Sequence, residues 1–398
     1  MAQKIYKNST EVTNVHGVPF YLEDIVQACL TGRLNLFLQG DTGSGKTQLA
    51  RDAMSYFGDK SMFLLGRNDM DTRELFRQIN LEKLRGAKST SEIKEITDKV
   101  DSHLVVVDEL PNACSAVRAQ LFNLFDGFIE LDGKAYPIGN GYSVGIATGN
   151  IGQKFTESSN ELGRALKDRM HVIVDVDYFS PTPSDTLEIL SGSTNPRVEF
   201  EFSYKDASKG IIQKHHEIKD KEIPLDKILL ANYLLHGLDY SGKGSKRKMK
   251  DAWPTELDAR EQVSDIGLVL PVSVRAAKSI TRLSQSLDEI AKEKGATSLD
   301  TFDSMMAAYK LVAAYSGVLN EAAVQEKYAG DRYKAIDQVI LATKGEFDRN
   351  SQNIAAGLEM AYSGKTDERI LNKFQDRWAF MQDTLRHLAE YAKTQKEK

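Results

Sequence analysis

Gly40-Asp41-Thr42-Gly43-Ser44-Gly45-Lys46-Thr47 reads G-x-x-x-x-G-K-[ST], a spacing that builds a cradle for phosphate. Its glycines let backbone N–H groups turn inward with no Cβ in the way. The Lys46 ammonium can reach β- and γ-phosphates, and the Thr47 hydroxyl can ligate Mg²⁺. Asp108 and Glu109 close the apolar run His103-Leu104-Val105-Val106-Val107. A carboxylate at the first position orients a Mg²⁺ shell, and one at the second polarises water for attack on phosphorus. Asn150 follows the next apolar run, Ser143 to Thr148, after Gly149. Its amide could bond the attacking water or the γ-phosphate, or simply cap the strand, since Gly-Asn is a turn dipeptide. Arg164 and Arg169 stand just before a further apolar stretch, His171 to Val176. Arginines at that point suit a subunit boundary, where one can reach a neighbour's γ-phosphate.

These groups need a scaffold that brings strand ends together. Leu34 to Gln39 reads as a buried strand entering the glycine loop, and Thr47 to Phe57 as the helix leaving it, its N-terminus aimed at the anion. Ser61 to Leu65 and the runs ending at Asp108, Thr148 and Val176 add further strands. Continuous β-branched runs separated by helical stretches call for a parallel sheet covered on both faces. The expected fold is therefore an α/β P-loop NTPase sheet flanked by helices. A mainly helical lid and a C-terminal helical region follow it. The expected divisions are a polar lead-in over 1–19, the α/β core over 20–178, a lid over 179–295 and a helical region over 296–398. Phe179-Ser180-Pro181-Thr182-Pro183-Ser184 is a proline-punctuated hinge. Helical apolar spacing marks Ile223 to His236 and Ser279 to Ile290.

The order of these features resembles an AAA+ ATPase, and more narrowly the MoxR-like and dynein/midasin-related branch, from about Phe20 to about Ser284. The particular features are Asp108-Glu109-Leu110-Pro111-Asn112, the helix Val117 to Asp126 and the Asp132-Gly133 hairpin within Phe128 to Pro137. The resemblance implies that Asn150 is sensor 1 and that Asp168-Arg169-Met170 carries the arginine finger, with Arg164 a secondary trans contact. It also implies that Arg275, in Leu270-Pro271-Val272-Ser273-Val274-Arg275-Ala276-Ala277, is sensor 2, although Val274 stands where the family has proline. The family's helix insertion falls on Arg73 to Leu84. The polar stretch from Arg85 to Asp101 follows, with Ile93, Ile96 and Val100 at helical spacing. That insertion reads equally as a pore- or partner-facing projection and as a solvated connecting helix. The base-contacting segment is expected around His16 to Tyr21.

Composition sets the outer limits. The chain has 398 residues, 41% hydrophobic and 27% charged, the balance of a globular protein of two or three domains. No apolar run approaches about 18 residues, and Met1 to Lys7 lacks the apolar core of a signal peptide. A membrane is therefore not an expected partner. Cys29 and Cys114 are the only cysteines, in no ligand spacing, which points to a reducing cytoplasm. His215-His216 is a poor metal pair, because adjacent residues on a helix point about 100° apart. A net charge of −5 argues against a protein built mainly to grip nucleic acid. The basic run 242–250 could still bind an acidic partner or nucleic acid, though such a run is more often a solvated loop.

The expected function is ATP hydrolysis, with ATP and Mg²⁺ as cofactors, at the subunit boundaries of a homo-oligomeric ring, expected to be hexameric. The resemblance implies that the cycle remodels a protein partner, often one with a von Willebrand factor A domain. Two alternatives are a nucleic-acid-acting motor and an ATP-gated assembly scaffold with slow turnover.

Overall fold

The computed structural model describes residues 5–69, 75–79, 94–131, 133–150, 169–192, 197–199, 206–238 and 267–396. Its contacts divide the chain into two compact units, Met1–Lys221 with Arg282–Leu299, and Glu222–Thr281 with Asp300–Lys398.

The first unit opens with a hairpin of β1 (Thr13–Val15) and β2 (Val18–Phe20), then α1 (Leu22–Gly32). β3 (Leu36–Gln39) leads through the glycine loop into α2 (Lys46–Met54), and β4 (Ser61–Leu65) follows. A small antiparallel pair, β5 (Arg77–Ile79) and β6 (Lys94–Ile96), precedes β7 (Leu104–Asp108). Next come α3 (Ser115–Phe125), a hairpin of β8 (Phe128–Leu131) and β9 (Lys134–Pro137), β10 (Val144–Gly149) and β11 (Val172–Asp175). α4 (Pro183–Gly192) and α5 (Ser208–Asp220) complete this run.

Five strands form the parallel sheet, in the order β11-β3-β10-β7-β4. β3, β7 and β10 are buried along their whole length, as central parallel strands must be when helices cover both faces. Successive strands lie on either side of β3, so the loops after β3, β7, β10 and β11 open at one edge, the switch point where such sheets bind ligands. At the opposite edge Asn35 stitches three elements together. Its Nδ2 donates to Phe125 O at 2.7 Å and Arg169 O at 3.0 Å, and its Oδ1 accepts from Gly145 N at 2.8 Å. α3 lies so close to β10 there that a Cβ on Gly145 would come 2.2 Å from the Phe125 ring.

The expected helix over Arg73 to Leu84, and the helical spacing carried to Val100, are corrected within the described residues. Arg77-Gln78-Ile79 pairs in antiparallel register with Lys94-Glu95-Ile96, and Val100 lies in a 3₁₀ turn. Three paired residues satisfy backbone groups across the two ends of the insertion, which local periodicity cannot foresee. Arg73, Arg85 and Ile93 lie outside the described residues, as does the basic run 242–250.

The second unit is helical. It holds α6 (Leu225–Asn232), the first half of α7 (Val274–Glu293), α8 (Thr301–Ala313), α9 (Glu321–Tyr328), α10 (Arg332–Tyr362), α11 (Glu368–Leu371) and α12 (Phe380–Lys396). Asp300, Asn320, Asp331 and Asp367 cap four of these helices with side-chain oxygens, each satisfying an otherwise orphaned N–H. α6 runs on into a π-helical turn, Tyr233–Gly237. Tyr233 packs there against Phe347 and Trp378, and its hydroxyl accepts from Arg377 at 2.9 Å.

Candidate functional site

The site is the C-terminal edge of the five-stranded sheet. Gly40, Gly43 and Gly45 hold φ of 153°, 89° and 83°, values that side-chain-bearing residues rarely adopt. Gly45 is also the N-cap of α2, so the loop delivers its N–H groups to a helix N-terminus, a ready anion seat. Thr42 and Ser44 stand between these glycines. Ser44 Oγ donates to Asp41 O at 2.9 Å and tightens the turn.

Lys46 is 7% exposed, and its Nζ donates to Gly40 O at 2.9 Å, Asp41 O at 2.6 Å and Ser44 Oγ at 3.1 Å. The ammonium therefore lies along the inside of the loop. Burial pushes its pKa below the ordinary lysine value, while the nearby carboxylates of Asp177, Asp41, Asp108 and Asp175 oppose that shift.

Thr47 Oγ1 donates to Asp108 Oδ1 at 2.9 Å, and Thr148 Oγ1 donates to the same oxygen at 2.5 Å. A hydroxyl and a buried carboxylate side by side are hard oxygen ligands, the donor set that suits Mg²⁺ bound together with substrate phosphates. Among the described residues no cluster of three or more His, Cys, Asp or Glu side chains forms a metal cage. Mg²⁺ binds through one or two carboxylates, phosphates and water, so Thr47 and Asp108 fit it without such a cage.

Glu109 leaves β7 with a left-handed backbone, φ 54°. Its N–H donates to Thr148 Oγ1 at 3.1 Å, which anchors that conformation, and its exposed carboxylate accepts from Asn112 Nδ2 at 3.0 Å. Two glycines make room for this turn. A Cβ on Gly66 would lie 2.5 Å from Glu109 O, and one on Gly149 2.6 Å from the Pro111 ring. Asn150 Nδ2 donates to Thr42 Oγ1 at 3.3 Å, so the end of β10 touches the glycine loop itself.

Thr47, Asp108, Asn150 and the glycine loop thus converge, with Glu109 held through Thr148. Arg169 stands elsewhere. Its carbonyl meets Asn35 before β3 begins, at the edge opposite the glycine loop, and β3 rises about 3.3 Å per residue between the two. Its Nε donates to Asp126 Oδ2 at 2.7 Å, and its guanidinium lies 5.0 Å above the Phe122 ring. Arg164 lies outside the described residues. Arg275 lies in the first turn of α7, within the second unit.

The segment His16 to Tyr21 is the β1–β2 hairpin and the entry to α1. His16 turns inward there, and its Nε2 donates to Asp288 Oδ1 at 2.7 Å. His215 is also turned inward, bonding Thr31 O through Nδ1 at 3.1 Å. Sequence reasoning missed four participants: Thr148, Asn112, Gly66 and Asp177, whose Oδ2 accepts from Asp41 N at 2.5 Å. Asn112 stood within a quoted motif, three residues beyond Glu109. The others are joined to the site by contacts that no spacing announces.

A parallel sheet with this loop, this helix and this Thr–Asp pair is a P-loop nucleotide-binding fold. Within that class, residues 35–170 match the AAA domain of the dynein-related subfamily, and the chain carries an AAA+ domain of that branch. An uncharacterized protein of Staphylococcus epidermidis is 26% identical over 298 residues, 70% of this chain and 92% of that one. The uncharacterized protein YojN of Bacillus subtilis is 29% identical over 168 residues, 40% of this chain and about half, 52%, of its own length. The crystal structure of a candidate ATPase from Cytophaga hutchinsonii superposes with a TM-score of 0.54 at 16% identity, over 80% of this chain and 88% of that one. That likeness shows a shared fold.

Proposed function

We propose that this chain is a MoxR-like ATPase that hydrolyses ATP at the boundaries between copies of itself in a ring, and uses the cycle to remodel a protein partner. The observation that carries the reading is the separation of Arg169 from the glycine loop of its own chain. An arginine on the far edge of the sheet meets a triphosphate most directly on a second copy.

In this mechanism the glycine loop and the N-terminus of α2 seat the β- and γ-phosphates, and Lys46 turns from its loop carbonyls to the phosphate oxygens. Thr47 and Asp108 would hold Mg²⁺, which would supply charge neutralisation of those oxygens. Glu109 polarises a water, whose oxygen bonds to the γ-phosphorus as the bond to the β–γ bridging oxygen breaks, leaving ADP and phosphate. Asn150 orients that water or the γ-phosphate, Arg169 of the neighbour offsets the developing charge, and Arg275 senses the γ-phosphate. Loss of that phosphate removes contacts that favour one arrangement of the subunits over another, which is how turnover becomes motion.

The partner class that the family resemblance suggests is a protein with a von Willebrand factor A domain. Among the described residues no helix is long and apolar enough to cross a membrane. The proposed compartment, the cytoplasm, rests instead on the sparse, unpaired cysteine usage of the sequence.

The test is a mixing experiment. Arg169→Ala subunits should bind ATP but lose turnover by about 10³-fold, the scale of trans arginine fingers. Lys46→Ala subunits should bind no ATP yet restore turnover to the mixture by donating Arg169. Mixed assemblies that form and show no recovery would overturn the boundary mechanism.

A further inference from the structure

The segment Ile5 to Thr10 belongs to the polar lead-in expected over 1–19. It lies across two parts of the first unit and is tied to both. At one end, the N–H groups of Ile5 and Tyr6 donate to Asp52 Oδ2 at 3.0 and 2.7 Å. Asp52 is on α2, the helix that leaves the glycine loop, and its other oxygen accepts from Gln48 at 2.8 Å. The Tyr6 ring is 5% exposed and lies against Gly45, where a Cβ would come 2.8 Å from its Cε2. The last glycine of the loop is therefore held from behind by an aromatic ring.

At the other end the same few residues grip the segment that leaves β11. Asn8 Nδ2 donates to Phe179 O at 2.6 Å and to the Tyr6 hydroxyl at 3.1 Å. Thr10 Oγ1 donates to Ser180 O at 2.5 Å. Ser9 donates through both N and Oγ to Asp185 Oδ2, each at 2.9 Å. Thr182 N and Oγ1 bond that same oxygen at 2.8 and 2.7 Å. Asp185 sits in the first turn of α4.

We propose that Ile5–Thr10 is a strap that makes the glycine loop and the exit segment 179–185 move as one, with Tyr6 as the positioning residue for Gly45. Burial of the ring leaves Gly45 no room to retreat. The row of bonds from Asn8 to Thr10 gives any shift of the strap a direct path to Phe179, Ser180 and Asp185. Packed contacts and hydrogen bonds of this kind carry energy between elements when both ends are fixed to them. The effect on nucleotide binding rests on the proposed ATPase reading, whereas the mechanical link does not.

Two measurements on the full chain separate these claims. In hydrogen exchange without nucleotide, Tyr6→Ala should speed exchange at Gly45–Leu49 and also at 179–186, leaving β7 unchanged. Asp185→Ala, at the far end, should speed exchange at Gly45–Leu49. In fluorescent-ADP binding, Tyr6→Ala should weaken affinity by about tenfold, while Tyr6→Phe, which keeps the ring, should bind as the wild type does. Exchange at the glycine loop that ignores Asp185→Ala overturns the strap, even if Tyr6→Ala fails to fold. A folded Tyr6→Ala with wild-type ADP affinity overturns the positioning role. Coupled exchange in a wild-type protein that binds no ADP would support the strap and overturn the ATPase reading.

Discussion

Asn112 holds Glu109 by a side-chain hydrogen bond of 3.0 Å, across one turn of the 3₁₀ segment that follows β7. The amide fixes one carboxylate oxygen and so sets which way the carboxylate faces.

Asn112→Ala should therefore lower kcat by about tenfold with little change in the KM for ATP, the pattern of a misplaced base. Asn112→Asp should be worse, because a carboxylate has no N–H to donate to Glu109 and repels it. A rise in KM with kcat unchanged in Asn112→Ala would remove the positioning role.

Glu109→Gln should keep ATP binding, since Lys46, Thr47 and Asp108 are untouched, and should stall turnover because an amide cannot polarise water as a carboxylate does. Stalled protein should gather into a large species in light scattering only with ATP and Mg²⁺ present. A monomer with ATP bound would count against the ring.

Thr148→Val should destabilise the first unit by about 1–3 kcal/mol, because Asp108 loses a donor and Glu109 N loses its acceptor in one step. The Mg²⁺ concentration needed for half-maximal turnover should also rise. Thr148→Ser, which keeps the hydroxyl, should recover most of both effects.

His215 is buried, and burial pushes its pKa down to about 4, against the bond to the Thr31 carbonyl, which raises it. The unfolded chain takes up this proton near pH 6.5, before the folded one does, so stability should fall as pH drops from about 6.5 to about 4. His215→Gln should flatten that part of a plot of melting temperature against pH. An unchanged slope would assign the acid sensitivity to other groups.

Much of the core was legible because its physics is local. A parallel strand covered on both faces must be apolar throughout, so Leu104 to Val107 announces itself, and the glycine loop needs its residue types at fixed spacing. The β5–β6 pair was misread as helix because its partners are separated by the whole insertion. Asn35 passed as one residue of a strand, although it bonds three separate elements. Tyr6 and Asp177 meet the glycine loop from distant parts of the chain, and only the fold brings them there.

The close approach of Gly66 to Glu109 has a genetic consequence. The two residues are 43 positions apart, yet any side chain at 66 would strike the carbonyl of 109. Substitution just beyond the edge strand β4 should thus mimic loss of Glu109, the proposed base, with the protein still folded and still able to bind ATP. In a library randomised at both positions and selected for turnover, glycine at 66 should persist wherever glutamate at 109 does. Escape from that pairing would require the loop after β7 to be rebuilt.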